Sequence, residues 1–317
     1  MGVLVMAYGT ADGPDDIERY YTDIRGGRPP SPELLAELRQ RYREIGDRFP
    51  LLDITRAQAA GLQRELDASE PGAYRTYLGM KHSPPWIADA VNEVRRDEIR
   101  RVIGIVMAPY WSEMSIGSYR ERVESALGAD GPAFTLVERF DEHRLFVDLL
   151  RDRLERALAT LDPDLRDAAA VVFTAHSLPV RVTEDGTLRC KTCSACSEGC
   201  LYDSGLRATA DRVALELGIE GGRTAWQSAG RTPDPWWGPP LEEVIADLAA
   251  SGRRAVVVCS AGFVADHLEI LYDLDVEARR LCEEAGMAFA RTEMPNADPA
   301  YCRLLAAVVR EHAPDRA

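Results

Sequence analysis

The sequence predicts an α/β chain of two similar halves, each a four-stranded parallel sheet with flanking helices, with a cleft between them. Three observations carry this. Eight short apolar runs alternate with longer amphipathic stretches, as parallel strands do with the helices that cover both faces of their sheet. The runs divide into two sets of four. The first run of each set ends alike, Ala7–Tyr8–Gly9 matching Ala175–His176–Ser177.

The strands expected in the first half are 3–7, 74–80, 102–109 and 134–140, and in the second half 169–175, 224–229, 255–261 and 287–293. Between them lie helical patterns at 115–127, 143–160, 205–218 and 241–251. The halves are drawn at 1–160 and 161–317. The first half carries a long helical insertion, 11–73, directly after its first strand. Within it "SPELLAELRQRYREIG" (31–46) reads as one helix: Ser31 caps it, Pro32 suits its first turn and Gly46 stops it. Such an excursion at a strand's carboxyl end is where a lid or specificity wall is built.

The chain has 317 residues, enough for one large or two ordinary domains with a sizeable core. Lys and Arg number 38 against 52 Asp and Glu, a net charge of −14. That balance argues against nucleic acid and anionic membrane surfaces as partners. No apolar run approaches the ~18 residues of a membrane span, so no stable membrane insertion is expected. The amino terminus enters a strand pattern at once, with no basic segment or cleavage site. The cytoplasm is the expected location, where clustered cysteines more often bind metal than form disulfides.

Ligands of open α/β sheets bind at the strands' carboxyl edge. Tyr8 and His176 both lie there, so facing edges would put them in one cleft. Imidazole at such an edge suits a general base or a metal ligand. The flanking "AHSLP" lacks the G-x-S-x-G of a hydrolase elbow. In a helix expected over 266–285, Glu269, Asp273 and Glu277 are spaced i, i+4, i+8. One helix face then carries three carboxylates, a ladder of hard oxygen ligands starting at the cleft. His267 lies about 200° from Glu269 on an ideal helix and is left out of the ladder. His176 with Glu269 is too small a set to store a metal but suits holding a borderline metal such as Fe(II) loosely and accepting protons.

The stretches "LVMAYGT", "IERYYTDIRGGRPP", "GMKHSPPWIADAV", "TAHSLP", "WQSAGRTPDPWWGP", "GFVADHLEILYD" and "MPNA" resemble the ferrochelatase family, more narrowly its bacterial coproporphyrin branch. The resemblance runs from residue 3 to about 308. It implies two Rossmann-like, chelatase-type halves and insertion of Fe(II), the substrate metal, into coproporphyrin III in heme biosynthesis, with release of two protons. It also implies roles. His176 and Glu269 match the metal- and proton-handling pair, and Asp273 and Glu277 a metal path. Tyr8 matches a tyrosine approaching the iron from the other face. Arg25, Arg41, Tyr42 and Tyr119 match porphyrin-contacting positions, the arginines suiting propionates. Phe49 stands where relatives have a small hydroxyl residue, at the expense of one propionate hydrogen bond. Tyr42, Trp86, Trp111 and Trp237 are aromatic enough to flank a flat ring. An enzyme that processes iron coproporphyrin would be the downstream partner. Protoporphyrin IX as substrate, and a non-catalytic tetrapyrrole- or iron-binding protein, are the alternatives.

Cys190, Cys193, Cys196 and Cys200 form C-x2-C-x2-C-x3-C. Four thiolates this close point to one metal site. Zinc is a lesser alternative, because four-cysteine zinc sites use two separated pairs. The spacing is like the bacterial ferredoxin run, but Leu201 follows where a proline would, and no second run exists. Resemblance favours a [2Fe–2S] cluster over [4Fe–4S]. Metal insertion moves no electrons, so the cluster is expected to clamp structure or sense iron or redox state.

Overall fold

The computed structural model describes residues 1–184, 186–193, 200–219 and 222–313. All eight expected strands form. The first half contains β1 (Gly2–Ala7), α1 (Ile17–Ile24), α2 (Pro32–Glu44), α3 (Leu51–Ser69), β2 (Arg75–Met80), α4 (Ile87–Arg96), β3 (Arg101–Val106), α5 (Ser118–Leu127), β4 (Ala133–Val137) and α6 (Arg144–Ala159). After a single turn, α7 (Pro163–Arg166), come β5 (Ala170–His176), β6 (Val180–Val182), β7 (Leu188–Cys190), α8 (Leu201–Glu216), β8 (Arg223–Gln227) and α9 (Leu241–Ala250). The chain ends with β9 (Ala255–Ser260), α10 (Leu268–Tyr272), α11 (Arg279–Glu284), β10 (Ala288–Arg291) and α12 (Pro299–Glu311).

Each sheet has four parallel strands, in the orders β2-β1-β3-β4 and β10-β9-β5-β8. Renumbered within each half, the two orders are the same. β1 and β5 therefore hold equivalent central places, and both are buried on both faces, as their unbroken apolar sequences require. Tyr8 follows the one and His176 ends the other. The antiparallel hairpin β6–β7 was not expected; three-residue strands carry too little alternation to show in a sequence.

Local signals account for helix ends. In α2 the Ser31 hydroxyl accepts from the Leu34 amide at 3.3 Å, and Gly46 takes φ 76° just beyond the end. Helix α8 begins at Leu201, earlier than the expected 205. Gly205 reads as a weak helix residue, yet it is there for packing: a Cβ would stand 2.9 Å from Asp141 Oδ2 and 3.0 Å from Tyr110.

The halves are tied together by helices that cross between them. α6 follows the first sheet but packs on α8, β9 and β10, and α12 packs on both α3 and α6. One apolar core consequently runs from Val3, Val5 and Leu62 through Phe146 and Tyr301 to Phe173 and Val257. Buried polar groups cross as well: Gln58 Nε2 donates to the carbonyls of Val264 and Asn296, and Arg153 pairs with Asp298 at 3.1 Å. The helical insertion packs on α10 of the second half. Its Ile17, Leu35 and Tyr42 cluster with Leu271 of α10.

Candidate active site

His176 is placed by strand pairing and then oriented by hydrogen bonds. The carbonyl of Ser177 accepts from His176 Nδ1, which fixes a proton there and turns Nε2 toward Glu269, 3.5 Å away. Tyr202 donates to the His176 carbonyl at 3.0 Å. Burial of His176 opposes its charge, but the Glu269 carboxylate and the Ser177 carbonyl prevail, and the imidazole titrates above its usual value. Burial likewise opposes charge on Glu269; His176 and His267 overcome it and hold this carboxyl well below the usual range.

His267 corrects the helical-wheel expectation. It is the N-cap of α10, with extended backbone at φ −158°. Its ring therefore does not follow the helix, and Nε2 lies 3.6 Å from Glu269 Oε2. Glu269 thus sits between two imidazoles. The signal was available, because a residue before the first helical turn is not subject to helical spacing.

The expected continuous helix over 266–285 is also corrected. α10 gives way to a π-helical turn, Asp273–Ala278, before α11 resumes. Asp273 and Glu277 lie in that turn. Asp273 is nearly enclosed, with 10% side-chain exposure, 3.9 Å from Arg41, and it accepts a hydrogen bond from Ser228. Ser228, at the end of β8, takes the left-handed φ of 61°, strained for a residue with a side chain, to point its hydroxyl there. Burial first, and the Glu269 charge second, push Asp273 up to about 7.

From the first half, Tyr8 is 43% exposed on the cleft. Desolvation by the surrounding protein, and then the Glu269 charge, raise its hydroxyl well above its usual value. Gly9 follows with φ 105°, and a Cβ there would stand 2.7 Å from Ser83 Oγ. The sequence reading gave Lys81 and His82 no role, yet they flank Tyr8. The His82 ring lies 4.6 Å from that of Tyr8 and bonds Asp23 at 2.6 Å. Lys81 Nζ sits over the rings of Tyr8 and Tyr119, and burial lowers it to about 8. Both follow β2, so the carboxyl-edge rule that singled out Tyr8 extends to them.

Arg41 lies on α2 beside Glu37, at 3.4 Å, and over the Tyr272 ring. Glu37 also pairs with Arg231 of the second half. Arg25 lies against Tyr21, and its Nε is shielded from water with no hydrogen-bond partner. Tyr42 and Tyr119 are buried, Tyr42 stacked on Phe49 at 4.4 Å. Trp111 and Trp237 are buried as well, and Trp237 donates from Nε1 to Cys190 at 3.4 Å.

Cys190, Cys193 and Cys200 are buried, while Cys196 lies outside the described residues. The sulfurs of Cys190 and Cys200 approach to 2.9 Å. The Cys190 thiol, with backbone amides of Tyr202 and Asp203 at the start of α8, brings Cys200 down to about 6. Among the described residues no three His, Cys, Asp or Glu side chains by themselves form a metal-holding group.

The sequence model of the ferrochelatase family matches residues 1–313. The chain belongs to the ferrochelatase family. It is 40% identical to the coproporphyrin III ferrochelatase of Anoxybacillus flavithermus, over 98% of this chain and 96% of that one. A ferrochelatase of Herpetosiphon aurantiacus is 39% identical, over 97% of each chain. Among solved structures, the sirohydrochlorin chelatase SirB from Bacillus subtilis subspecies spizizenii, in complex with cobalt, superposes with TM-score 0.56 at 9% identity, covering 98% of this chain and 94% of that one. CbiX, the terminal enzyme for biosynthesis of siroheme in denitrifying bacteria, does so with TM-score 0.55 at 12% identity, covering 99% and 100%. At such identities these two show the α/β chelatase fold alone. Ferrochelatase membership rests on the sequence matches. No helix among the described residues is long and apolar enough to cross a membrane.

Proposed function

We propose that this ferrochelatase-family protein inserts Fe(II) into coproporphyrin III, with His176, Glu269 and Asp273 handling metal and protons. The observation that carries the reading is the His176–Glu269 pair, 3.5 Å apart at a strand's carboxyl edge, with its charge felt by Tyr8 across the cleft.

At 3.5 Å the imidazole of His176 and the carboxylate of Glu269 can share one proton between them. A dication arriving at Glu269 replaces that proton as its counter-charge; the proton leaves by way of Asp273 to solvent, and Nε2 of His176 is left with a lone pair. Two pyrrole protons must leave a free porphyrin as the metal enters. His176 takes a proton at Nε2, because Ser177 holds the other at Nδ1. Glu269 steadies the resulting imidazolium. Asp273, titrating at about 7, is matched to passing protons toward solvent near neutral pH. Arg25 and Arg41 receive substrate carboxylates, Arg41 by exchange for Glu37. Four carboxylates on the substrate suit the unpaired Arg25 and the interchangeable Arg41–Glu37–Arg231 group. The cytoplasm, and delivery of product to an enzyme that processes iron coproporphyrin, belong to the same reading.

The four cysteines are proposed to hold a [2Fe–2S] cluster. Three described thiols are buried on the stem formed by β7 and α8, and two sulfurs are already in contact, so the donor set fits a thiolate-bound group. Such a group would supply a covalent tie between Cys190 at the end of β7 and Cys200 at the start of α8. Iron insertion itself needs none of its chemistry.

The test is steady-state turnover with Fe(II) on coproporphyrin III and protoporphyrin IX in parallel. Turnover on the first, abolished in His176→Ala while porphyrin still binds, is expected. Preference for protoporphyrin IX would overturn the substrate, and full turnover by folded His176→Ala would overturn the mechanism.

A further inference from the structure

We propose that Arg291 is a positioning residue for metal delivery: its guanidinium clamps both ends of the segment 266–275 and so sets the geometry of His267, Glu269 and Asp273. The inference rests on the iron-insertion reading above. Arg291 ends β10 and is largely buried, with 15% side-chain exposure.

Each of its nitrogens is engaged. Nε donates to Asp275 Oδ1 at 2.6 Å, and Nη2 donates to Asp275 Oδ2 at 2.8 Å and to Asp266 Oδ1 at 3.3 Å. Nη1 donates to the Thr292 carbonyl at 3.1 Å. One guanidinium therefore joins two carboxylates nine residues apart in sequence, on either side of Glu269.

At the first end, Asp266 is held from a second direction. Its other oxygen accepts from Asn296 Nδ2 at 2.7 Å, and its amide donates to Asn296 Oδ1 at 2.8 Å. That fixes the backbone just before His267, where an extended conformation rather than a helical one brings the imidazole to Glu269. At the second end, Asp275 lies inside the π turn. In an α-helix each four-residue step overshoots a full turn by about 40°. A π turn, closing i→i+5 bonds, takes more residues per turn, so Glu269, Asp273 and Glu277 come closer to one line. The turn is flanked by α-helix on both sides, and the bidentate Arg291–Asp275 pair fastens it to the sheet. A bidentate pair also sets the rotation of the turn about its axis, which apolar packing alone leaves less defined.

The test measures insertion by the full chain with Fe(II) and porphyrin varied separately, and Co(II) absorption titrated into the porphyrin-free protein. Arg291→Met removes both clamps and keeps the aliphatic stem. Asp275→Asn loosens only the π turn. Direct outer-shell partners of metal ligands change metal affinity by about 10- to 100-fold; Arg291 acts one contact further out, so the KM for Fe(II) should rise by up to about 10-fold for Arg291→Met, less for Asp275→Asn. The KM for porphyrin should not move, Co(II) binding should weaken in parallel, and Arg291→Lys should recover part of the loss. An unchanged KM for Fe(II) in folded Arg291→Met would overturn the proposal, as would a joint rise of both KM values. Should Arg291→Met not fold, Asp275→Asn is judged by the same criteria. Absence of iron insertion by the unmodified protein would instead refute the functional reading, and Co(II) binding would still decide the clamp.

Discussion

Replacing Asp273 by Asn should stabilise the metal-free protein above neutral pH while impairing iron delivery. Asp273 is almost enclosed, and burial with the Glu269 charge moves its carboxyl from 3.8 to about 7, against the help of Ser228 and Arg41. The folded state thus holds this proton more tightly than the unfolded chain does. As pH rises from about 4 to about 7, the unfolded carboxyl ionises freely while the folded one resists, and stability falls across that window. At about 1.4 kcal/mol per tenfold change, the full cost reaches about 4 kcal/mol above pH ~7 and about 1.5 kcal/mol near pH ~5. Asn resembles the protonated acid and escapes the cost. Its oxygen still accepts from Ser228. Denaturant unfolding of the two proteins near pH ~8 and pH ~5 should show an advantage for Asn that grows by roughly 2–3 kcal/mol between the two. An Asn variant no more stable than its parent near pH ~8 would refute the placement of a costly carboxylate here. That such a cost persists fits a residue kept for transport of protons or metal rather than for folding.

Gly9→Ala should destabilise by about 1–3 kcal/mol from its backbone conformation alone, since φ is 105° and the new Cβ meets Ser83 at 2.7 Å. Porphyrin binding should weaken with it because Tyr8 is adjacent; an unchanged thermal midpoint would contradict this. Cys193→Ser should remove the iron and sulfide expected in anaerobically purified protein, with activity falling only as folded protein is lost. Stoichiometric zinc without sulfide in the parent would rule out the cluster. A stable, inactive Cys193→Ser variant that still binds porphyrin would give the cluster a part in the reaction.

What could be read from the sequence was what repeats locally or caps an end. The central strands were legible because strands covered on both faces are near-continuous apolar runs, and β1 and β9 are buried throughout; the edge strands β2, β4, β8 and β10, only partly buried, showed as runs between helical patterns. The ends of α2 were legible because Ser31, Pro32 and Gly46 act on their own neighbours. Tyr8 and His176 were found because a strand's carboxyl edge is a position the pattern defines. The Glu269–Asp273–Glu277 row was found by spacing, although its geometry was assigned to the wrong helix type. Insertion of one residue into a turn leaves the apolar period almost unchanged, so the π turn left no mark.

The sequence by itself determined the strand–helix alternation, the paired halves, the edge residues and the cysteine spacing, because each depends on residues within a few positions of one another. Only the tertiary structure decided that α6 and α12 cross between the halves, that Trp237 donates to Cys190, and that Arg291 reaches both Asp266 and Asp275. These contacts join residues far apart in the chain and have no period. Each is fixed by which buried polar and apolar surfaces can satisfy one another once the sheets are packed, and a chain read in order carries no direct record of that.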